Sequence, residues 1–377
     1  MRAYVFTDKS LARHAGQFVW LSIDTEKAGN APFLTKYPVQ AWPSFFVLDP
    51  AKEKVAVRWV GGATVAQVSK ILEDGKAAVR GKEKGLDQTL ARADALYGEG
   101  KNAEAIREYR DALSRAPAGW PQYGRSVESL LFALQNVRDH KGCAETARDA
   151  YPRLSRTSSA ANVAGTGLDC ALGMKADDPA RPALVAALAE NSRQVLASPR
   201  PDIAADDISA VYDTLASERE DAKDEAGQKK FFSERAAFLE KAAAEAKNPE
   251  ARAVFDSHRL STYIALGEPE RAVPMLEASE RDLPDDYNPP ARLAAAYKAM
   301  KRYDEALAAS DRALSKAYGP RKVGILQTRA DIQAAKGDTA AARKTIEETL
   351  QYAQELPPGQ RSERTIASLR KKLEGMP

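Results

Sequence analysis

The chain has 377 residues, of which 56 are lysine or arginine and 53 are aspartate or glutamate, so its formal net charge is only +3. That balance, without a dense basic stripe, argues against nucleic acid as a partner, because phosphate backbones are bound by clustered cations. The apolar content of 44% is enough to fill a core, and 29% charged residues favour amphipathic helices. The sequence contains no apolar run of the roughly 18 residues that would predict a membrane-spanning helix. A mainly helical chain is therefore expected.

The first 80 residues are the part of the chain with strand-like character. A helix is predicted over residues 1–15, and the apolar, β-rich run FVWLSID at 18–24 predicts a strand. A helix at 30–37, strands at 44–49 and 55–62, and a closing helix at 63–75 follow. Three of the four tryptophans fall in this region, and we expect them in its core: Trp20, Trp42 and Trp59.

The segment YPVQAWPSFFVLDP, at 37–50, resembles the part of the thioredoxin fold that carries a cis-proline beside the active site. The resemblance matches Pro43 to that proline and implies that Trp42 and Pro43 contact a bound peptide. Trp42 stands where the family usually has Ile, Val or Thr, which implies an altered contact surface. The region is thus similar to an α/β thioredoxin-like domain, but to part of one only.

Thioredoxin catalysis needs a CxxC pair at the start of a helix, and this chain has no cysteine before Cys143. The family's central strand and its CxxC would both lie upstream of Met1. Two hypotheses follow: a domain cut short at its amino end, or a naturally redox-inactive cap. Cys143 and Cys170 have neither CxxC nor metal-ligand spacing, so we interpret them as small buried residues with inert thiols. No residue pattern predicts a catalytic group, a metal site or a cofactor.

After a linker at 81–85, residues 86–377 repeat with a period of 34, which is clearest at 86–119, 253–286, 287–320 and 323–356. Large, small and turn residues recur in the same slots, as two packed antiparallel helices require. The pattern resembles the tetratricopeptide repeat (TPR), which implies an α-solenoid of six or seven helix pairs. The residues that carry it are Ala93, Gly100, Ala105, Tyr109 and Pro117; Leu260, Tyr263, Gly267, Ala272, Leu276 and Pro284; and Ala294, Tyr297 and Ala306.

The resemblance implies that the first helices of the pairs line a groove for a peptide or protein ligand. One TPR variant grips a carboxylate with Lys and Asn at the fifth and ninth repeat positions. This chain lacks that pattern, since the positions hold Leu90 and Asp94, Ser257 and Ser261, or Ala291 and Ala295.

Two functions from different classes remain. The first is a protein-interaction scaffold with a redox-inactive thioredoxin-like cap. The alternative is a thiol-disulfide oxidoreductase whose CxxC lies upstream of Met1. The sequence as it begins carries no export signal, which predicts the cytoplasm, whereas an upstream signal would direct the protein to the periplasm or envelope. Neither the oligomeric state nor the identity of the partner follows from the sequence.

Overall fold

The computed structural model describes residues 5–39, 42–81 and 85–376, and these are mainly helical. They form two compact units, the first from Met1–Val19 and Val39–Arg235, the second from Trp20–Pro38 and Ala236–Pro377. The strands are β1 (Ser44–Asp49) and β2 (Lys54–Val60). The helices in chain order are α1 (Ala31–Lys36), α2 (Val65–Val79), α3 (Leu86–Gly98), α4 (Asn102–Ser114), α5 (Tyr123–Asn136), α6 (His140–Leu154), α7 (Ala160–Leu172), α8 (Arg181–Ala197), α9 (Ala205–Asp221), α10 (Glu225–Ala244), α11 (Pro249–Ala253), α12 (Asp256–Leu266), α13 (Ala272–Asp282), α14 (Asn288–Ala299), α15 (Tyr303–Leu314), α16 (Gly319–Lys336), α17 (Thr339–Glu355) and α18 (Glu363–Glu374).

The first unit begins with a two-stranded hairpin between helices. β1 and β2 pair antiparallel, with an irregularity between Val47 and Leu48. Helix α2 packs on the sheet where Gly75 approaches Val47, and α3 packs on it where Gly98 approaches Val55. A Cβ atom at either glycine would lie within 3 Å of the valine side chain, so both helix contacts depend on the missing side chain.

Arg58 of β2 joins the hairpin to the end of α3. Its side chain is only 2% exposed, and its Nη1 donates to the carbonyl oxygen of Tyr97 at 2.7 Å. Its guanidinium carbon also lies 4.4 Å from the centre of the Tyr97 ring. The carbonyl of Tyr97 also accepts the backbone N–H of Gly100 at 3.0 Å, so Arg58 adds a charged donor at the carboxyl end of α3, where cations are favoured.

Several expectations for the amino-terminal region are wrong. Residues 18–24 do not form a strand, and Val19 and Leu21 are 88% and 72% exposed, because no described strand lies beside them to bury their side chains. Trp20 and Trp42 are also exposed, whereas Trp59 is buried as expected. In place of the α-helix expected over residues 1–15, the structure has a 3-10 helix, Lys9–His14, and residues 1–4 lie outside the described part. A two-stranded sheet does not establish a thioredoxin-like domain.

The rest of the first unit is built from packed helix pairs. α3 packs on α4, α5 on α6, and α7 on α8, each pair being joined by a short connection that makes its helices neighbours. Helices α6 and α7 approach closely and are joined by a disulfide between Cys143 and Cys170. Both cysteines are fully buried, as expected, but the interpretation of them as separate thiols is wrong.

The second unit continues the same design with the pairs α12/α13, α14/α15 and α16/α17. Alanines fill the contacts within each pair: Ala272, Ala306 and Ala342 are all 0% exposed. Helix α18 covers the last pair and buries Ile366 and Leu369. Among the residues described, no helix combines the length and apolar character that crossing a bilayer demands.

Candidate peptide-binding face

A short stretch of the second unit, residues 24–27, lies across the amino-terminal ends of three of its helices. Tyr287 immediately precedes α14, Tyr318 immediately precedes α16, and Gln360 lies just before α18. All three donate hydrogen bonds to this stretch. We call the residues that contact it the DTEK face, after Asp24-Thr25-Glu26-Lys27: Tyr287, Tyr318, Gly319, Arg321 and Gln360.

The carboxylate of Glu26 is held by two donors of this face. Its Oε1 accepts a hydrogen bond from the Tyr287 hydroxyl at 2.7 Å and one from Arg321 Nε at 3.3 Å. The Glu26 side chain is only 14% exposed. Burial, together with the hydrogen bond and charge of Glu26, raises the pKa of Tyr287, so its hydroxyl stays protonated and remains a donor. Burial opposes the charge of Arg321, but its contacts with Tyr287 and Glu26 prevail and raise its pKa. Two donors that keep their protons therefore hold the carboxylate of Glu26.

A second carboxylate fixes the register of the stretch. Asp24 Oδ2 accepts a hydrogen bond from the Tyr318 hydroxyl at 2.5 Å. Its Oδ1 accepts the backbone N–H of Glu26 at 2.9 Å, which closes a turn that places both carboxylates toward the helix ends. Amino-terminal helix ends carry partial positive charge, so they favour carboxylates at both positions.

Gln360 contacts the backbone of the stretch and not its side chains. Its Nε2 donates to the carbonyl oxygens of Thr25 at 2.8 Å and of Lys27 at 3.0 Å. Gln360 is only 7% exposed, so these bonds form in a shielded position where they replace water. Because every residue offers a carbonyl, these two bonds do not depend on the side chains of Thr25 and Lys27.

Two glycines allow the chain to approach the helices closely. Gly319 has φ of +57°, and a Cβ there would collide with the carbonyl oxygen of Glu26 and lie 2.8 Å from its carbonyl carbon. Gly359 has φ of +82°, and a Cβ there would lie 2.7 Å from the carbonyl oxygen of Ala31. Glycine is therefore needed at both positions for two reasons: the backbone is left-handed, and a Cβ atom would clash with the neighbouring chain.

The residues singled out from the repeat pattern lie inside the helix pairs and not on this face. Most are buried, and the turn residues Gly100 and Gly267 follow first helices with positive φ. Pro117 and Pro284 follow the second helices α4 and α13. The buried ones are Ala93, Ala105, Tyr109, Leu260, Tyr263, Ala272, Leu276, Ala294, Tyr297 and Ala306. They are packed within the helix pairs, and the contacts described above for the DTEK stretch come from other residues.

Trp42 and Pro43, expected to contact a peptide, stand at the start of β1. The peptide bond between them is cis, and the Pro43 carbonyl accepts the N–H of Gly61 at 2.9 Å. Trp42 is 60% exposed. The part that the resemblance gives them in peptide binding remains a prediction.

A buried polar cluster in the first unit is a second feature that the sequence did not predict. Asp94 is 0% exposed and accepts Arg125 Nη1 at 2.6 Å and the Tyr109 hydroxyl at 2.7 Å. The side chain of Asp94, which the sequence comparison set against the Asn of the carboxylate-gripping variant, contacts Tyr109 of α4 and Arg125 of α5. The cluster borders a cavity of about 500 Å³ that Lys70 and Asp74 also line. Within this cluster Arg125 forms an ion pair with Asp94, and Lys70 forms one with Asp74.

The sequence marks the helix starts at the DTEK face only weakly, because the 34-residue repeat dominates the same part of the chain. Tyr287 and Tyr318 each precede a proline-led helix start, in YNPP and YGPR, and the run PPGQ places Gln360 before the final helix. Proline in the first turn marks where α14 and α16 begin, but it does not indicate that the residue before it is a donor to a distant segment. The DTEK stretch, more than 250 residues away in sequence, left no local signal.

No family model matches the sequence, and no curated protein matches it. Among solved structures, a TPR protein from Parabacteroides merdae is similar, with 10% identity over 77% of this chain and 99% of that one, at a TM-score of 0.48. A thermophilic TPR protein from Thermus thermophilus shares 18% identity over 67% and 98%, with a TM-score of 0.34. The TPR2AB domain of yeast Sti1 in its complex with pHSP90 shares 17% identity over 77% and 98%, with a TM-score of 0.29.

Proposed function

We propose that this protein is a TPR-type interaction scaffold that binds a segment of a partner protein through its helix pairs. The observation that carries the proposal is the DTEK face itself. There Gln360 holds two backbone carbonyls, and Tyr287 and Arg321 hold one carboxylate. A set of helix ends that can hold a non-helical stretch in this way has the chemistry of a peptide receptor. The 34-residue repeat supports the same reading, because such arrays present helices to ligands.

The amino-terminal hairpin serves, in this proposal, as a redox-inactive cap of thioredoxin-like origin. It covers the outer side of α3 through the Gly98 and Arg58 contacts, as the terminal repeats of solenoids need. Both cysteines of the chain are fully buried and bonded to each other, which leaves neither of them as an attacking thiolate.

A redox-inactive chain should not accelerate disulfide reduction. With insulin as substrate and dithiothreitol as reductant, we expect turbidity to develop at the uncatalysed rate. A matched chain carrying Cys143→Ala and Cys170→Ala should behave identically. Acceleration by the wild type that this double variant abolishes would refute the proposed inactivity.

Capture of partners tests the scaffold directly. The full chain, immobilised, should recover a reproducible set of proteins from a lysate of its source, and cross-links should fall on residues 86–376. Arg321→Glu is expected to reduce recovery at least fivefold, because it reverses the charge that faces Glu26. Lys344→Glu makes the same charge change at a side chain that is 78% exposed on α17, and it should retain recovery.

The two variants distinguish failure of the scaffold proposal from failure of the DTEK face as the binding site. If no protein is recovered by any form of the chain, the scaffold proposal falls. If recovery is equal with Arg321→Glu and Lys344→Glu, the scaffold stands but its partner binds elsewhere on the helix pairs.

For the compartment, we infer an oxidising one, such as the periplasm or envelope. Disulfides persist where the redox poise is oxidising and are rare in a reducing cytosol. The Cys143–Cys170 bond supports this choice over the cytoplasm, and a count of free thiols in the protein as it is made tests it.

A further inference from the structure

We propose that the DTEK face is a recognition site for an acidic, non-helical segment of the form Asp-x-Glu, and that residues 24–27 are its built-in competitor. A partner segment with carboxylates two residues apart would take the same contacts once the internal stretch leaves. This inference rests on the proposed scaffold function and specifies its ligand chemistry.

The division of contacts on the face carries the first step. Gln360 binds carbonyl groups, which any chain offers, while Tyr287, Tyr318 and Arg321 bind carboxylates. In peptide-binding sites, hydrogen bonds to the backbone supply affinity, and contacts with the side chains supply specificity. The contacts are thus those of a ligand site, and nothing in them demands that the ligand belong to the same chain.

The position of the occupant carries the second step. Residues 20–38 belong to the second unit, while the residues on both sides of them, up to Val19 and from Val39, belong to the first. The stretch is therefore tethered at both ends, and it belongs to no helix pair. On its carboxyl side the segment is anchored by the buried Ala31 and Leu34 of α1, so the exchange we propose is confined to the irregular residues before α1. Val19 and Leu21, at its entrance, are mostly exposed, so little apolar burial holds that end in place.

The tethers also explain why an outside ligand must compete. A tethered segment has an effective concentration of the order of millimolar, so a free peptide of equal intrinsic affinity binds far more weakly to the occupied face. Weakening the internal stretch by replacing its carboxylates, with the face itself unchanged, should expose the site.

The experiment uses a fluorescein-labelled peptide with the sequence of residues 22–30, SIDTEKAGN, and fluorescence anisotropy at low salt. The full chain carrying Asp24→Asn and Glu26→Gln should bind this peptide at least tenfold more tightly than the wild type does. The amide peptide SINTQKAGN should bind the same variant at least tenfold more weakly than the acidic peptide. Equal binding by wild type and variant, or of both peptides, would overturn the proposal.

Matched glycines provide the control for the location of the site. Added to the double variant, Gly319→Ala should abolish peptide binding, because its Cβ collides with the position of the Glu26 carbonyl. Gly337→Ala is strained in the same way, at φ of +94°, but its Cβ would meet nothing within 4 Å, and it should leave binding within twofold. Equal effects of the two substitutions would refute the assignment.

A second variant and a measurement of molecular mass cover the remaining outcomes. If Gly319→Ala does not fold, as judged by its thermal transition, Tyr287→Phe removes only the hydroxyl that binds Glu26 and should weaken binding at least fivefold. A wild-type dimer by light scattering that dissociates in the Asp24→Asn/Glu26→Gln variant would assign the face to a second copy and overturn the internal arrangement. Failure of peptide binding with successful partner capture would leave the scaffold proposal intact.

Discussion

Replacing Arg125 with methionine should lower the free energy of unfolding by about 3–5 kcal/mol, which is typical when one member of a buried ion pair is removed. Arg125 and Asp94 are 8% and 0% exposed in their side chains, and their closest atoms are 2.6 Å apart. Without the guanidinium, the buried carboxylate of Asp94 loses its ion-pair partner and keeps the hydrogen bond from the Tyr109 hydroxyl. Urea denaturation followed by circular dichroism measures the effect.

The loss should depend on pH in a defined direction. Burial raises the pKa of Asp94, and Arg125 and Tyr109 oppose that rise. Removing Arg125 raises the pKa further, so folded Asp94 binds a proton at pH values where the unfolded chain is ionised. The free energy of unfolding then falls as pH increases. We expect the deficit of Arg125→Met relative to wild type to be larger at pH 8 than at pH 5.

The same helix as Asp94 offers a matched control. Arg92 forms an ion pair with Glu108, but the two side chains are 61% and 29% exposed, so Arg92→Met should cost less than about 1 kcal/mol. The double variant Asp94→Asn/Arg125→Met should be more stable than Arg125→Met alone, because it removes the stranded charge. Similar losses for Arg92→Met and Arg125→Met would show that the buried pair is not a special determinant of stability.

What the sequence predicted well is what neighbouring residues determine. The turn after α12, for example, needs a left-handed residue, and Gly267 ends a helix whose pair member begins with the buried Ala272. Period, turn glycine and buried alanine are all read within 34 residues. The strand β1 was likewise predicted over 44–49, where it is observed.

Contacts between distant parts of the chain could not be predicted from the sequence, for a physical reason. The bond between Tyr287 and Glu26 spans 261 residues, and neither side chain differs locally from an ordinary surface residue. The run at 18–24 has the composition of a strand, but β structure requires a partner strand, and composition does not supply one. Trp20, which lies within that run, was expected in the core because three tryptophans cluster in this region, and it is 48% exposed.

The pairing of Cys143 with Cys170 belongs to the same class, because it depends on the relative register of α6 and α7 where the repeat period is loose. From spacing alone, two cysteines separated by 27 residues are equally compatible with separate buried thiols. The burial of each was predictable from its helical pattern, whereas the bond was not.

Removal of this bond is expected to have the second large effect. The variant Cys143→Ala/Cys170→Ala should unfold with a free energy about 2–4 kcal/mol below that of the oxidised wild type, because the cross-link restricts the unfolded chain. Fully reduced wild type provides the control, since it has lost the bond but kept both side chains. It should be within about 1 kcal/mol of the double variant, and a larger gap would assign the effect to packing of the sulfur atoms and not to the cross-link.

A count of free thiols shows whether the Cys143–Cys170 disulfide forms in the compartment where the protein folds. Protein extracted into urea with excess maleimide should carry no label, and the same protein reduced beforehand should carry two. Because both cysteines are 0% exposed, a folded sample treated with mild reductant should also stay unlabelled until it is unfolded. Two labels on unreduced, unfolded protein would mean that the chain carries free thiols in its own compartment, and the inference of an oxidising location would then be wrong. No label there would confirm the pairing and explain why two buried helices in an irregular part of the repeat remain in register.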